Sequence, residues 1–228
     1  MRRAALAVVA VAVAAGCTTG EGTGWVRSTR LQADNCWDGA FDLGPTFFAS
    51  DPFQDTQQIR VQRGDRIVGI SDGVLLVVND VEKIRSSQLG TPITLGLPIG
   101  VTPPGQPRRV EANPPQVSLS LYLNDSCHNQ DPAVYSVGGT ITFNSLFSGN
   151  RNENKADQRL TDADFDALVT DPRDAMIEPA GTSADAGAEA GPILDYGDSG
   201  VIVRYAPSRL TGQFHFFFQR GQPAQQFP

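Results

Sequence analysis

The sequence predicts an all-β body, an antiparallel β-sandwich or jelly-roll-like single domain with long loops rich in proline and glycine. Three observations carry that reading. Apolar and polar side chains alternate with a period of two in several separate segments, the repeat of a strand with one buried face. Turn-forming clusters lie between these segments. Eight to ten short strands joined by Pro- and Gly-rich connections, in a chain with 23 Gly and 16 Pro, suit two packed antiparallel layers.

The chain begins with what reads as a secretory leader over residues 1–16: Arg2 and Arg3 give a positive start, and Ala4 to Ala15 contain no polar side chain. At about twelve residues the apolar run falls short of the roughly twenty that cross a bilayer as a helix. It closes on Ala14-Ala15-Gly16-Cys17, which resembles the lipobox of bacterial lipoproteins, with Ala14 where that family prefers Leu. The resemblance implies cleavage after Gly16, a diacylglyceryl group on the Cys17 sulfur, and a further acyl chain, such as palmitate, on the new amino group. Two or three chains, at about 0.8 kcal/mol per buried methylene, hold a protein firmly where one does not. Ordinary secretory cleavage nearby, which removes Cys17 or leaves it as a free thiol, is the alternative. Thr18 stands where enteric-type lipoproteins retained at the inner membrane carry Asp, which implies the outer membrane, on its periplasmic or surface face. Residues Thr18 to Arg30 are rich in Thr, Gly and Ser and read as a flexible tether. The expected organisation is therefore a leader (1–16), a lipidated N-terminus with tether (17–30) and a β-sandwich domain (31–228).

Removing Arg2 and Arg3 with the leader leaves 16 of the 18 basic side chains against 25 acidic ones, a mature charge near −9. No Lys/Arg cluster is present, so nucleic acid is excluded as a partner. Assigning Cys17 to lipid leaves Cys36 and Cys127, the even number expected of one disulfide in an oxidising periplasm. The bond would close a loop of about 92 residues, with an upper stabilisation of about 4.6 kcal/mol through the unfolded state. Neither cysteine has a second Cys at metal-ligand spacing, and only His128 lies beside one, so zinc is disfavoured.

Along the body, strands are expected at Ile59-Val61, Ile67-Ile70, Val74-Val78, Val117-Leu123, Ile141-Phe143, Ile193-Tyr196, Val201-Tyr205 and Leu210-Phe218. Turns are expected at Arg63-Gly64-Asp65, Ser71-Asp72-Gly73, Gly138-Gly139 and Gly197-Asp198-Ser199-Gly200. Aperiodic breaks fall at 102–116, 148–157 and 178–192. Residues 161–170 fit both a capped helix, through Thr161-Asp162-Ala163-Asp164, and a strand. The neighbouring strands and Asp171-Pro172 favour the strand.

Gly197-Asp198-Ser199-Gly200 resembles the nucleophile segment of trypsin-like serine proteases, with Ser199 in the nucleophile position. That family needs a general base ahead of the serine. His128 is the histidine that precedes it, in a context (Asp125-Ser126-Cys127-His128) unlike the family's, and Val201 replaces a glycine of the oxyanion hole. A hairpin turn is the preferred reading, and a hydrolase using Ser199 with His128 and an acid such as Asp164 or Asp198 is the alternative. Asp162, Asp164 and Asp166 put three carboxylates on one face of a strand. Calcium seeks such oxygen density, yet Ala167 and Arg173 stand where an EF-hand has Gly and Glu. A solvated strand face is preferred, and a structural Ca2+ bridging to a neighbouring loop is the alternative.

Trp25, Trp37, Tyr122, Tyr135, Tyr196 and Phe217 could form an aromatic platform for sugar rings, although Trp37 beside Cys36 is expected to pack on the disulfide. His215 has no partner assignable from sequence. The functional expectation is a lipid-anchored envelope protein with a non-enzymatic binding or assembly role, its partners being membrane lipid through Cys17 and an envelope protein or polysaccharide. A serine hydrolase and a carbohydrate-binding module are the alternatives.

Overall fold

The computed structural model describes residues 22–64, 67–101, 114–127, 133–149, 159–171, 176–179, 193–195, 201–204 and 206–218. Within them the chain forms β1 (Gly22–Ala33), β2 (Trp37–Leu43), β3 (Phe47–Phe53), β4 (Thr56–Arg63), β5 (Asp72–Val78), β6 (Pro92–Gly96), β7 (Val117–Leu123), β8 (Ala133–Ser145), β9 (Arg159–Thr170), β10 (Met176–Pro179), β11 (Ile193–Asp195), β12 (Val201–Arg204) and β13 (Ser208–Phe218). The fold is all-β. Ten strands make one sheet in the order β2-β1-β13-β9-β8-β6-β7-β5-β4-β3, and β10-β12-β11 form a three-stranded sheet. A short helical segment, α1 (Val81–Lys83), continues as a wider π turn over Ile84–Gln88. Pairing is antiparallel except between β6 and β7. The long β8 makes this possible by pairing with β7 through its first part and with β6 through its second.

Period-two alternation decides which face turns inward. Val117, Leu119, Leu121 and Leu123 of β7 are fully buried, as are Ala163, Ala167 and Val169 of β9 and Leu210 and Phe216 of β13. One hydrophobic cluster spans all of these strands. Each large apolar side chain moved out of water contributes about 1.5–3 kcal/mol.

The sheet curls until its ends meet. β2 and β3 are the outermost strands of the ladder, yet only residues 44–46 separate them. Phe48 of β3 stacks on Phe216 of β13, with ring centroids 5.5 Å apart, and brings the two ends together around the core. A single curled sheet thus supplies both walls that a sandwich builds from two.

This barrel-like body has two poles. At the first, here basal, β1 starts opposite the end of β13 (Gly22 with Phe216) and β9 starts opposite Phe217 and Phe218. The junction after β8 lies there too, since Ser148 N–H donates to the Leu160 carbonyl at 3.1 Å. Arg85 donates to the Gly149 carbonyl, and Asp55 of the β3–β4 turn accepts from the Val81 and Glu82 amides at 3.1 and 3.0 Å. The opposite, distal pole carries the Cys36–Cys127 disulfide, whose Cα atoms lie 5.6 Å apart, inside the range that a bridge requires.

Residues 161–170 are strand, as the sequence favours. Other expectations need correction. Of the tether expected over Thr18 to Arg30, the residues from Gly22 on are strand: they belong to β1, paired with both β13 and β2. Gly22 and Gly24 serve close backbone approach there, because a Cβ at either would collide with β13. Ile67-Ile70 is a 3-10 turn followed by extended Ser71, and Asp72-Gly73 opens β5 instead of forming a turn. Gly138-Gly139 lies inside β8 at a register shift. Gly139 has φ +93°, and a Cβ there would strike the Asp166 carbonyl and the Ala167 Cα. It is a bulge glycine.

Candidate functional site

The outer face of β2-β1-β13-β9-β8 gathers most of the polar chemistry foreseen in the sequence. Strand register stacks it in rows. Thr23, His215, Asp162 and Ser145 lie across the sheet in one row, Trp25, Gln213, Asp164 and Thr142 in the next, and Arg27, Thr211, Asp166 and Thr140 in the third. The three aspartates do share one face, as their spacing requires.

Each carboxylate is engaged by a neighbour. Asp162 meets His215 Nδ1 at 2.8 Å and accepts from the Asn144 amide at 3.1 Å, which also donates to Asp164 at 3.1 Å. Arg209 grips Asp166 with Nε at 2.8 Å and Nη2 at 2.5 Å. The hydrogen bond from Arg209 holds the Asp166 carboxyl below its usual value, against a weaker upward push from burial. Among the described residues no group of three or more His, Cys, Asp or Glu side chains converges as a metal site. The acidic column works here as a cross-strand polar ladder.

Beside it lies a groove lined by Trp25, Arg27, Thr29, Asp42, Arg209 and Thr211, among others, with a volume of about 610 Å3. Arg27 lies 5.2 Å from the Trp25 ring centroid and donates from Nε to Asp42 at 3.2 Å. The groove therefore offers an aromatic ring, two guanidinium groups, a carboxylate and hydroxyls side by side. Sequence reasoning singled out Trp25 but missed Arg27, Asp42 and Arg209. Trp25 and Arg27 at positions i and i+2 were a usable signal; the partners on β2 and β13 depend on register and gave none.

Of the other described aromatics, Tyr122, Trp37 and Tyr135 do not extend this surface. Tyr122 is buried and donates to Gln62 Oε1 at 2.7 Å; burial pushes its phenol well above the ordinary range, with Arg60 pulling the other way. Trp37 packs against the core and meets Phe41 edge-on at 5.7 Å. Phe217 is on the same outer face as Trp25 and meets His215 edge-on at 5.6 Å. Tyr135 is half-buried.

A second polar cluster has a structural role. Asp72, with a fully buried side chain, accepts from Arg63 Nη2 at 3.0 Å, from the Asp125 and Ser126 amides at 3.1 and 3.0 Å, and from Ser126 Oγ at 2.5 Å. It fixes the turn that presents Cys127 to Cys36.

Cys17, His128, Tyr196, Asp198 and Ser199 lie outside the described residues, as does the turn expected over 197–200. The strands on either side of that turn do pair, Asp195 with Ile202 and Ile193 with Arg204. Among the described residues no helix is long and apolar enough to cross a membrane. Comparison of the chain with protein-family models, with curated proteins and with solved structures gives no match.

Proposed function

We propose that the chain is a bacterial lipoprotein, held to the envelope by lipid on Cys17 and sorted to the outer membrane, whose β domain works by binding an envelope component. The Trp25 groove carries the binding half of this reading. An indole face flanked by guanidinium, carboxylate and hydroxyl groups matches the alternating apolar and hydroxyl faces of a saccharide, so an envelope polysaccharide is the favoured ligand. The anchoring half is supported by the Ala14-Ala15-Gly16-Cys17 leader.

Each half has its own test. Mass spectrometry of the protein extracted from envelope membranes is expected to find acyl chains on Cys17; an unmodified Cys17 sinks the anchoring claim. Binding to purified envelope polysaccharide is expected to weaken about tenfold on Trp25→Ala, the effect of losing one contact at the centre of an interface. Unchanged affinity in a folded Trp25→Ala protein rejects the groove as the site.

A further inference from the structure

Among the described residues six large hydrophobic side chains are exposed, and three of them, Phe53 (68%), Leu89 (42%) and Phe217 (39%), belong to the basal pole. Phe53 precedes the turn that Asp55 ties to the helical segment. Leu89 follows that segment, where the Gly90 amide donates to the Phe143 carbonyl at 2.8 Å. Phe217 lies opposite Leu160, one residue beyond the partner of Gly22. We propose that this pole is a bilayer-docking surface, with Phe53, Leu89 and Phe217 seated at the boundary between headgroups and acyl chains.

The occupant is argued from the chain's own reach, and the argument rests on the anchoring reading above. Five Cα steps separate Cys17 from Gly22, so an acylated Cys17 keeps the start of β1 within about 19 Å of the lipid surface. Ile67 and Ile70 are exposed on the β4–β5 connection, where the Gly64 amide donates to Thr46 Oγ1 at 3.1 Å. Ala33 ends β1 eleven residues beyond Gly22, about 36 Å along a strand. Standing the domain on its disulfide end would lift Gly22 farther than its link allows. The basal apolar side chains are the ones the anchor holds at the membrane.

The basal charges point to the kind of lipid. Among the described residues, Asp55, Asp80 and Glu82 are exposed there beside exposed Lys83 and half-buried Arg85, a set without the basic excess that draws proteins to anionic headgroups. Docking is therefore apolar and suits a neutral, zwitterionic surface. It would hold the long axis of the sheet upright and leave the Trp25 groove facing sideways.

The two tryptophans, one near each pole, supply the test. The acylated full-length protein is reconstituted in phosphatidylcholine vesicles carrying a headgroup nitroxide quencher. Trp37→Phe leaves Trp25 as reporter, three strand residues above Gly22, and Trp25→Phe leaves Trp37 at the distal end. The expected result is loss of Trp25 emission with Trp37 unaffected, and weaker Trp25 quenching in a folded Phe53→Ser/Phe217→Ser variant that is still acylated. Equal quenching of the two reporters, stronger quenching of Trp37, or no effect of the double variant overturns the docking. Acyl analysis of Cys17 on the same samples separates the two readings: acylated protein with unquenched Trp25 removes docking alone, whereas a bare Cys17 removes the anchor and the docking with it.

Discussion

Asp72→Asn should unlatch the distal pole without changing its shape. The carboxylate is fully buried and receives four hydrogen bonds, two from the amides of the turn that carries Cys127. An asparagine keeps one oxygen for those amides and turns an N–H2 group towards Arg63 and Ser126 Oγ. A hydrogen bond to a charged group is worth about 1.5–3 kcal/mol net, and breaking a buried ion pair from one side costs about 3–5 kcal/mol. Arg63 is 43% exposed and recovers part of its solvation, so the expected cost is about 2–4 kcal/mol, between those two figures. For a body of this size that corresponds to a Tm lower by about 5–15 °C. Urea unfolding of the oxidised protein measures it, with Arg63→Lys as control; that change keeps a cation beside Asp72 as well as its turn donors and should cost no more than about 1 kcal/mol. A loss below about 0.5 kcal/mol for Asp72→Asn, within the range of ordinary surface substitutions, would refute the latch. So would an Arg63→Lys cost equal to it, because the turn donors would then carry nothing.

Other consequences are as direct. Deleting residues 18–30 removes most of β1 and with it the partner strand of both β2 and β13, so the truncated protein should lack a cooperative unfolding transition; a normal melting curve would restore the tether reading. Gly139→Ala forces a side chain onto a φ of +93° against the β9 backbone and should cost at least about 1–3 kcal/mol by denaturant titration. Arg209 lowers the Asp166 carboxyl below its usual 3.8, so this pair contributes stability that is complete above that value and is lost as the pH falls through the depressed one. Arg209→Met should return Asp166 to a higher titration point by NMR and flatten that part of the acid dependence.

What the sequence disclosed follows the period of its side chains. β7 and β13 alternate without interruption and were legible, as was the shared face of Asp162, Asp164 and Asp166. β1 was hidden because its register shifts between Ser28 and Leu31, which puts the inward residues Val26, Leu31 and Ala33 out of step with a period of two. Its Gly, Thr and Ser content then imitates a linker, although two of those glycines are there for close contact with β13. β8 was cut short in the reading for a related reason: Gly138-Gly139 signals a turn, yet the long strand bends there at a bulge. The Asp162 partners could not be read, since Asn144 and His215 reach it only through the β8–β9–β13 register. The pairing of Cys36 with Cys127 was accessible to counting alone, given the assignment of Cys17.

The strand β1 also changes what an anchor at Cys17 would do. A flexible linker of thirteen residues would let the domain sample orientations freely and sweep a radius of roughly 20 Å as a random coil. With β1 starting at Gly22, only five Cα steps separate Cys17 from a residue pinned between β13 and the Phe48–Phe216 contact that closes the sheet. Orientation then becomes a property of the fold. On the proposed reading, the ligand of the Trp25 groove would have to run alongside the membrane within a domain's height of its surface, where an envelope polymer lies. Inserting a Gly/Ser segment between Cys17 and Gly22 separates the two contributions: it should abolish the quenching of Trp25 by headgroup labels only if the apolar pole adds nothing to the anchor, and should leave it in place if Phe53, Leu89 and Phe217 hold the surface themselves.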